Sequence, residues 1–221
     1  MLLERTVAGL HEALIKVVLG LGLPKDVGIL DVGCGTGAWL ERLAKSGFAN
    51  LHGIDQDVSG FEATSATSSA FNLDSDAALA ADKPSRFGLI TAIEVIEHLE
   101  NPGRLLAFAS RYLADDGYLL ITTPNIQSVL CRLRFLVTGK LRQFDEHGDP
   151  THISPVLFAA LEKVLPRHGL GVVRTFAYPT NGGSIGSRRI SMIASSIAAT
   201  LVPNEFPGDI LCVLIRKTGN I

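Results

Sequence analysis

Apolar positions recur along the chain with two different periods. Over residues 2–19, Leu3, Val7, Leu10, Leu14, Val17 and Val18 follow helical spacing, which predicts an amphipathic helix closed by Gly20, Gly22 and Pro24. Beyond it the apolar residues gather into short runs, Val27–Val32, Leu51–Ile54, Phe87–Ile93, Tyr118–Thr123, Val172–Tyr178 and Ile210–Arg216, which read as buried strands. Helices are expected between them at Ala38–Lys45, Leu105–Leu113 (ended by Asp116-Gly117) and Pro155–His168. From Val58 to Phe71 the serines and threonines compete with a helical backbone, and the pattern favours neither period. Two stretches interrupt the rhythm, 126–154 and 179–208; the second carries an apolar helix candidate, Ile190–Leu201. Alternating strands and helices imply one α/β domain over residues 1–221, a doubly wound, mostly parallel sheet with helices on both faces. The last two strands lack a crossover helix, which points to antiparallel pairing.

Composition narrows the function classes. The 221 residues are 47% hydrophobic and 19% charged, as in a globular domain. The formal net charge of −2 supplies no global positive field, so no nucleic-acid partner is expected. Cys34, Cys131 and Cys212 are scattered and form no C-x-x-C pair, which fits a reducing, cytoplasmic setting. Glu4, Arg5, Glu12 and Lys16 divide the apolar residues of the N-terminus, a poor leader sequence. The longest uncharged stretches fall short of the ~18–20 residues of a membrane-spanning helix, so no transmembrane segment is expected.

The candidate chemistry begins at Ile29-Leu30-Asp31-Val32-Gly33-Cys34-Gly35-Thr36-Gly37, a strand running into a glycine loop and then a helix. Glycines allow left-handed backbone and close approach of a ligand. Asp55 ends the next strand 18 residues after Gly37, placed to grip a ribose hydroxyl pair. The pattern also satisfies G-x-G-x-x-A, the dinucleotide fingerprint. Asp31 argues against a pyrophosphate, because its carboxylate opposes an anion and suits the sulfonium and ammonium of S-adenosylmethionine. A Tyr-x-x-x-Lys pair and a phosphate-binding P-loop are both missing from the chain.

Four blocks carry a resemblance to the class I S-adenosylmethionine-dependent methyltransferases: ILDVGCGTG (29–37), GIDQD (53–57), FGLITAIEVIEHLENP (87–102) and GYLLITTPN (117–125). The likeness is nearest to the ubiquinone-biosynthesis O-methyltransferase group and spans residues 27–170. It implies a Rossmann-like seven-stranded sheet in the order 3-2-1-4-5-7-6, with strand 7 antiparallel and S-adenosylmethionine as cofactor. It further implies that the loop from Gly33 through Cys34 and Gly35 to Gly37 holds the methionine end, with Asp31 beside it. Asp55 and Gln56 would meet the ribose, Asn72 and Leu73 the adenine, and Ile93 and Glu94 would flank the cofactor. Asn72 stands where the family usually has an aspartate.

Resemblance also implies a magnesium-type site of Glu94, Glu97 and His98, which share one face if a helix begins there. The competing reading, preferred from the sequence, has no metal: Glu94 fixes the methionine loop, and Glu97 and His98 pack and cap. His98 and His152 are the candidate catalytic bases, since an imidazole titrates near neutrality. His147 reads as exposed or structural. Arg132, Arg134, Lys140 and Arg142 form a basic cluster that suits an anionic acceptor or a membrane surface, or else a solvated face balanced by Asp145, Glu146 and Asp149. Gly182-Gly183-Ser184-Ile185-Gly186 matches the G-x-S-x-G hydrolase elbow, but no histidine follows it.

The expected function is methyl transfer to a small-molecule or lipid-linked acceptor, most simply on oxygen, with the two insertions as lids. A non-catalytic cofactor-binding module and a nicotinamide-dependent oxidoreductase are the alternatives.

Overall fold

The computed structural model describes residues 2–75, 86–179 and 207–218. Seven strands form one sheet: β1 (Gly28–Val32), β2 (Asn50–Asp55), β3 (Thr67–Ala70), β4 (Phe87–Ile93), β5 (Leu113–Pro124), β6 (Leu170–Tyr178) and β7 (Ile210–Lys217). Their order is β3-β2-β1-β4-β5-β7-β6. The first five pair in parallel, and β7 runs antiparallel to both β5 and β6. The order and the antiparallel strand agree with the sequence-based expectation.

Period-two alternation sends successive side chains to opposite faces and so makes two cores. Leu119, Ile121, Leu211, Val213 and Ile215 pack with α3 (Gly103–Tyr112) and α5 (Phe158–Val164). Leu120, Ile210, Cys212 and Leu214 pack on the other face with α1 (Leu10–Gly20) and α2 (Ala38–Lys45). Each fully buried leucine or isoleucine contributes about 1.5–3 kcal/mol over leaving it in water. The sheet is therefore a rigid platform whose strand ends can carry a site.

Several elements differ from the sequence reading. The first helix starts at Leu10, not residue 2. Gly9 takes φ +80, and a Cβ there would collide with the Tyr178 hydroxyl, which donates to Ala8 O at 2.9 Å. Residues before Gly9 are instead tied to the glycine loop and α2, by Thr36 Oγ1 donating to Leu3 O and by Arg42 pairing with Glu4. The serine-rich stretch supplies β3 without a preceding helix, because its backbone groups find β2. α3 ends at Tyr112, and Asp116-Gly117 lies inside β5, where Asp116 has φ +67 and the register against β4 shifts. Residues 126–154 are not wholly irregular: Ser128 caps α4 (Val129–Thr138) by accepting from Cys131 N. Pro155 does not open the next helix; α5 begins at Phe158, whose N–H donates to Gln127 Oε1, and passes into a 3-10 turn at Leu165–His168. The candidate helix Ile190–Leu201 and the G-x-S-x-G match lie outside the described residues.

Candidate active site

A cleft of about 970 Å³ opens at the carboxyl ends of β1, β2 and β4, where open parallel sheets place their ligands. The glycine loop after β1 forms one wall. Gly33 N and Cys34 N both donate to Ile54 O, at 2.8 and 3.1 Å, and Gly37 N closes the turn on Cys34 O at 2.8 Å. Gly33 has φ +72, and a Cβ there would meet Val95 Cγ2 at 2.5 Å. Gly35 has φ +49, and a Cβ there would meet nothing within 4 Å, so its bare backbone faces open space that a ligand can fill. Asp55 Oδ2 accepts from Gly35 N at 2.9 Å, fastening the loop to the end of β2.

Nearly all the expected cofactor residues line this cleft: Asp31, Gly33, Cys34, Gly35, Asp55, Gln56, Asn72, Leu73, Ile93 and Glu94. Gly37 is the exception. It sits at the start of α2 with φ +81, where a Cβ would press on Ala63 and Phe61, so it serves packing and the turn. Asn72 lines the cleft, its Oδ1 accepting from Asp74 N at 2.9 Å.

Electrostatics at this end favour a cation. Asp31 is buried and accepts from Thr91 Oγ1 at 2.6 Å; Trp39 Nε1 in turn donates to Thr91 Oγ1 at 3.2 Å. Burial pushes the Asp31 carboxyl up to about 7, against the Thr91 hydrogen bond and with help from the Asp55 charge. Glu94 is likewise pushed up to about 7 by burial, and Thr122 Oγ1 donates to its Oε1 at 2.9 Å. Burial first, then the Asp31 and Asp55 charges, push the Cys34 thiol up to about 12, so it is a packed thiol rather than a nucleophile. Three acids around one loop oppose a pyrophosphate and gain from a bound positive charge.

The other end of the cleft is built differently. Glu94 does not begin a helix: it has φ +55, and a 3-10 turn follows at Ile96–His98. The shared face expected for Glu94, Glu97 and His98 is therefore absent. His98 meets His152 from the lid instead, ring centroids 4.7 Å apart, and both line the cleft. The lid returns onto the 3-10 turn through Ile153 N and Ser154 N, which both donate to Glu97 O, and through Ser154 Oγ donating to Leu99 O. His152 Nδ1 lies 2.9 Å from Gln143 O. A carbonyl only accepts, so Nδ1 carries the proton and Nε2 keeps its lone pair. His98 Nδ1 lies 2.8 Å from Thr151 Oγ1, whose own proton goes to Asp149 Oδ1 at 2.5 Å. His98 therefore also donates from Nδ1 and leaves Nε2 bare. Burial, then the neighbouring His152, lower the His98 pKa and favour its neutral form.

Glu97 completes this end. It is fully buried, and burial, then the Glu94 charge, push its carboxyl well above the usual carboxylate range, with the Thr123 side chain opposing the shift. One donor atom each from Glu97, His98 and His152 lie within 4.8 Å of one another, a set of carboxylate and imidazole donors that fits a divalent cation.

Sequence reasoning missed the N-terminal segment, whose Leu3, Glu4, Arg5, Thr6 and Val7 line the cleft. The signal was Gly9, which can break a helix. It also missed Asp149 and Thr151, although Asp-x-Thr is a recognisable Asx turn. His147 is exposed and lies away from the cleft wall, as read from the sequence. The basic cluster is balanced by acids: Arg134 pairs with Asp145, Lys140 with Glu146, and Arg142 with the buried Asp209. Among the described residues no helix is long and apolar enough to cross a membrane.

Residues 7–175 match a family described as a methyltransferase domain. The chain belongs to this methyltransferase-domain family. S-adenosylmethionine is accordingly its cofactor. Over 156 residues the domain is 30% identical to a ubiquinone biosynthesis O-methyltransferase of Neisseria meningitidis, the match covering 66% of this chain and 65% of that protein. A second ubiquinone biosynthesis O-methyltransferase, from Colwellia psychrerythraea, is 28% identical over 66% of this chain and 61% of its own length. The matched segment thus spans less than two thirds of these relatives. Among solved structures, an S-adenosylmethionine dependent methyltransferase from Mesorhizobium loti superposes with a TM-score of 0.56 at 16% identity, covering 90% of this chain and 96% of that one. At that identity the likeness is one of fold.

Proposed function

We propose that the protein transfers the methyl group of S-adenosylmethionine to a hydroxyl oxygen of a small-molecule or lipid-linked acceptor. The observation that carries this reading is the pair of imidazoles at the far end of the cleft, each with Nδ1 committed to an acceptor and Nε2 left with its lone pair. A neutral amine attacks with its own lone pair, whereas an alcohol or phenol must lose a proton. The names of the relatives, O-methyltransferases of ubiquinone biosynthesis, support the same choice of atom.

In this mechanism Asp55 meets the ribose, the glycine loop borders the methionine end, and Asp31 with Glu94 supplies negative charge near the sulfonium. The acceptor oxygen attacks the methyl carbon in line with the sulfur. The carbon–sulfur bond breaks, its electron pair stays on sulfur, and the hydroxyl proton passes to an imidazole Nε2. Holding oxygen, carbon and sulfur collinear lowers the barrier by several kcal/mol. The positive charge on sulfur disappears in the product, so the acidic surroundings hold S-adenosylhomocysteine less firmly there and favour its release.

The test is transfer of a labelled methyl group to a panel of phenols and alcohols, run beside the matching amines. Label appearing on hydroxyl compounds and not on amines is the expected result. Label on amines alone would overturn the oxygen assignment, and absence of transfer with intact cofactor binding would favour a non-catalytic binding module.

A further inference from the structure

We infer that the ion pair of Arg142 with Asp209 positions His152, through the main-chain carbonyl of Gln143, so that Nδ1 keeps the proton and Nε2 the lone pair. Its effect on rate rests on the reading above, in which an imidazole Nε2 takes the acceptor's proton; the arrangement of the ring does not. A neutral histidine free in water carries its proton mostly on Nε2, the wrong nitrogen for that task. Which nitrogen holds it in a protein is set by the hydrogen bond that the other makes. For His152 that bond runs from Nδ1 to Gln143 O at 2.9 Å, so whatever fixes this carbonyl fixes the base.

Three observations bear on the carbonyl. Gln143 is the third residue of a turn closed by Phe144 N on Leu141 O, and its φ is +71. A residue with a Cβ is strained there and keeps the conformation only where its surroundings impose it. The residue before it, Arg142, grips Asp209 with both ends of its guanidinium, Nη1 to Oδ1 at 2.6 Å and Nη2 to Oδ2 at 3.4 Å. Asp209 is buried at the start of β7 and fastened to the end of β5: Asn125 N donates to its carbonyl at 2.7 Å, and Asn125 Nδ2 donates to Gly208 O at 2.9 Å. The sheet thus holds the lid at Arg142, one residue from the strained carbonyl. From the other side Gly148 presses on it. A Cβ at Gly148 would lie 2.4 Å from Gln143 O, so only a glycine leaves the carbonyl where it is. Phe144, next in the turn, packs its ring on His152 with centroids 5.4 Å apart. His98 is held by different parts, the hydroxyl of Thr151 and behind it Asp149.

The test reads the tautomer directly. Two-bond nitrogen–proton spectra of the full chain with 15N-labelled histidine, recorded above neutral pH without acceptor, should show His98 and His152 both protonated on Nδ1. Arg142→Leu and Gly148→Ala are each expected to move His152 largely to the Nε2–H form while His98 stays as it was. Arg142→Lys, which keeps the charge and loses the two-pronged grip, should fall between them and the parent. Lys140→Ala, on the solvent-exposed pair of the same lid, should match the parent. Arg142→Leu leaves the Asp209 carboxylate buried without this partner; should it fail to fold, Gly148→Ala carries the test, since it alters no charge. With a hydroxyl compound that the parent methylates, single-turnover transfer should fall about ten- to a hundredfold in both variants, with S-adenosylhomocysteine affinity held within about twofold. His152 remaining Nδ1–H in Gly148→Ala, Lys140→Ala shifting it as far, or His98 changing along with it would each overturn the proposal, the last because the lid would then have loosened as a whole. The expected tautomer change in a protein that methylates no hydroxyl compound would sink the oxygen reading alone.

Discussion

The two ends of the cleft are held in opposite ways. The glycine-loop end is made of backbone: a loop between β1 and α2 bonded to the last residues of β2, with Asp55 fastening Gly35. The far end is made of side chains distant in sequence, His98 after β4 and His152 from the lid, joined by lid amides that donate to Glu97 O. A backbone site holds any nucleoside cofactor of the right charge and tolerates little change. A side-chain site on a lid can be altered without disturbing the sheet, which is where acceptor choice belongs.

That contrast breaks most visibly at His152. His152→Ala is expected to lower methyl transfer by about 10²–10⁴-fold while S-adenosylhomocysteine affinity stays within twofold or so. Single-turnover rates and calorimetry measure the two quantities, and a parallel fall in both would mean that the ends are not separable.

Asp55→Ala addresses the opposite end. Its carboxylate holds Gly35 N and is expected to meet the ribose, with charge-assisted hydrogen bonds worth about 1.5–3 kcal/mol each. Affinity for S-adenosylhomocysteine should fall roughly tenfold or more, and unchanged affinity by calorimetry would remove Asp55 from the site.

Asp31 sharpens the electrostatic half of the comparison. Its folded-state pKa of about 7 lies above the ordinary value of 3.8. Between those pH values the folded protein keeps a proton that the unfolded chain has released. Asp31 therefore costs no stability below pH 4, and an increasing amount as the pH rises toward 7, on the order of a few kcal/mol at most. Thermal melts of the apo protein should show stability falling over that range, and Asp31→Asn should flatten the fall. An identical pH profile in the variant would mean that Asp31 is ionised throughout.

The smallest effect is expected on the lid surface. Lys140 pairs with Glu146 in solvent, so Lys140→Ala should change stability by less than about 1 kcal/mol and leave KM almost untouched. A large rise in KM for an anionic acceptor would restore the basic cluster as a binding surface.

How much of this could be read from the chain follows the same division. The strands from Gly28 to Val32 and Phe87 to Ile93, the glycine loop and Asp55 were legible because each is specified within a few consecutive residues. The order of the sheet came from resemblance rather than periodicity. Leu3–Val7 were misread because their apolar spacing is helical, while Gly9 and the tie from Thr36 to Leu3 O override it. Glu94, Glu97 and His98 have the spacing of one helical face, yet the left-handed turn at Glu94 removes it, and nothing in the local sequence announces that turn. His152 was picked out as a single residue. Its pairing with His98 and Glu97 depends on the lid folding back through Ile153 and Ser154, a contact across more than fifty residues that no spacing rule expresses.

On the proposed function, the glycine-loop end takes a cationic nucleoside cofactor and the far end its acceptor. Thermal stabilisation by S-adenosylhomocysteine and by NAD, measured side by side, tests it most directly. S-adenosylhomocysteine at 100 times its dissociation constant should add about 2.7 kcal/mol of stability, with S-adenosylmethionine binding at the same site and NAD giving no shift. Equal shifts from both ligands, or a shift from NAD alone, would contradict it.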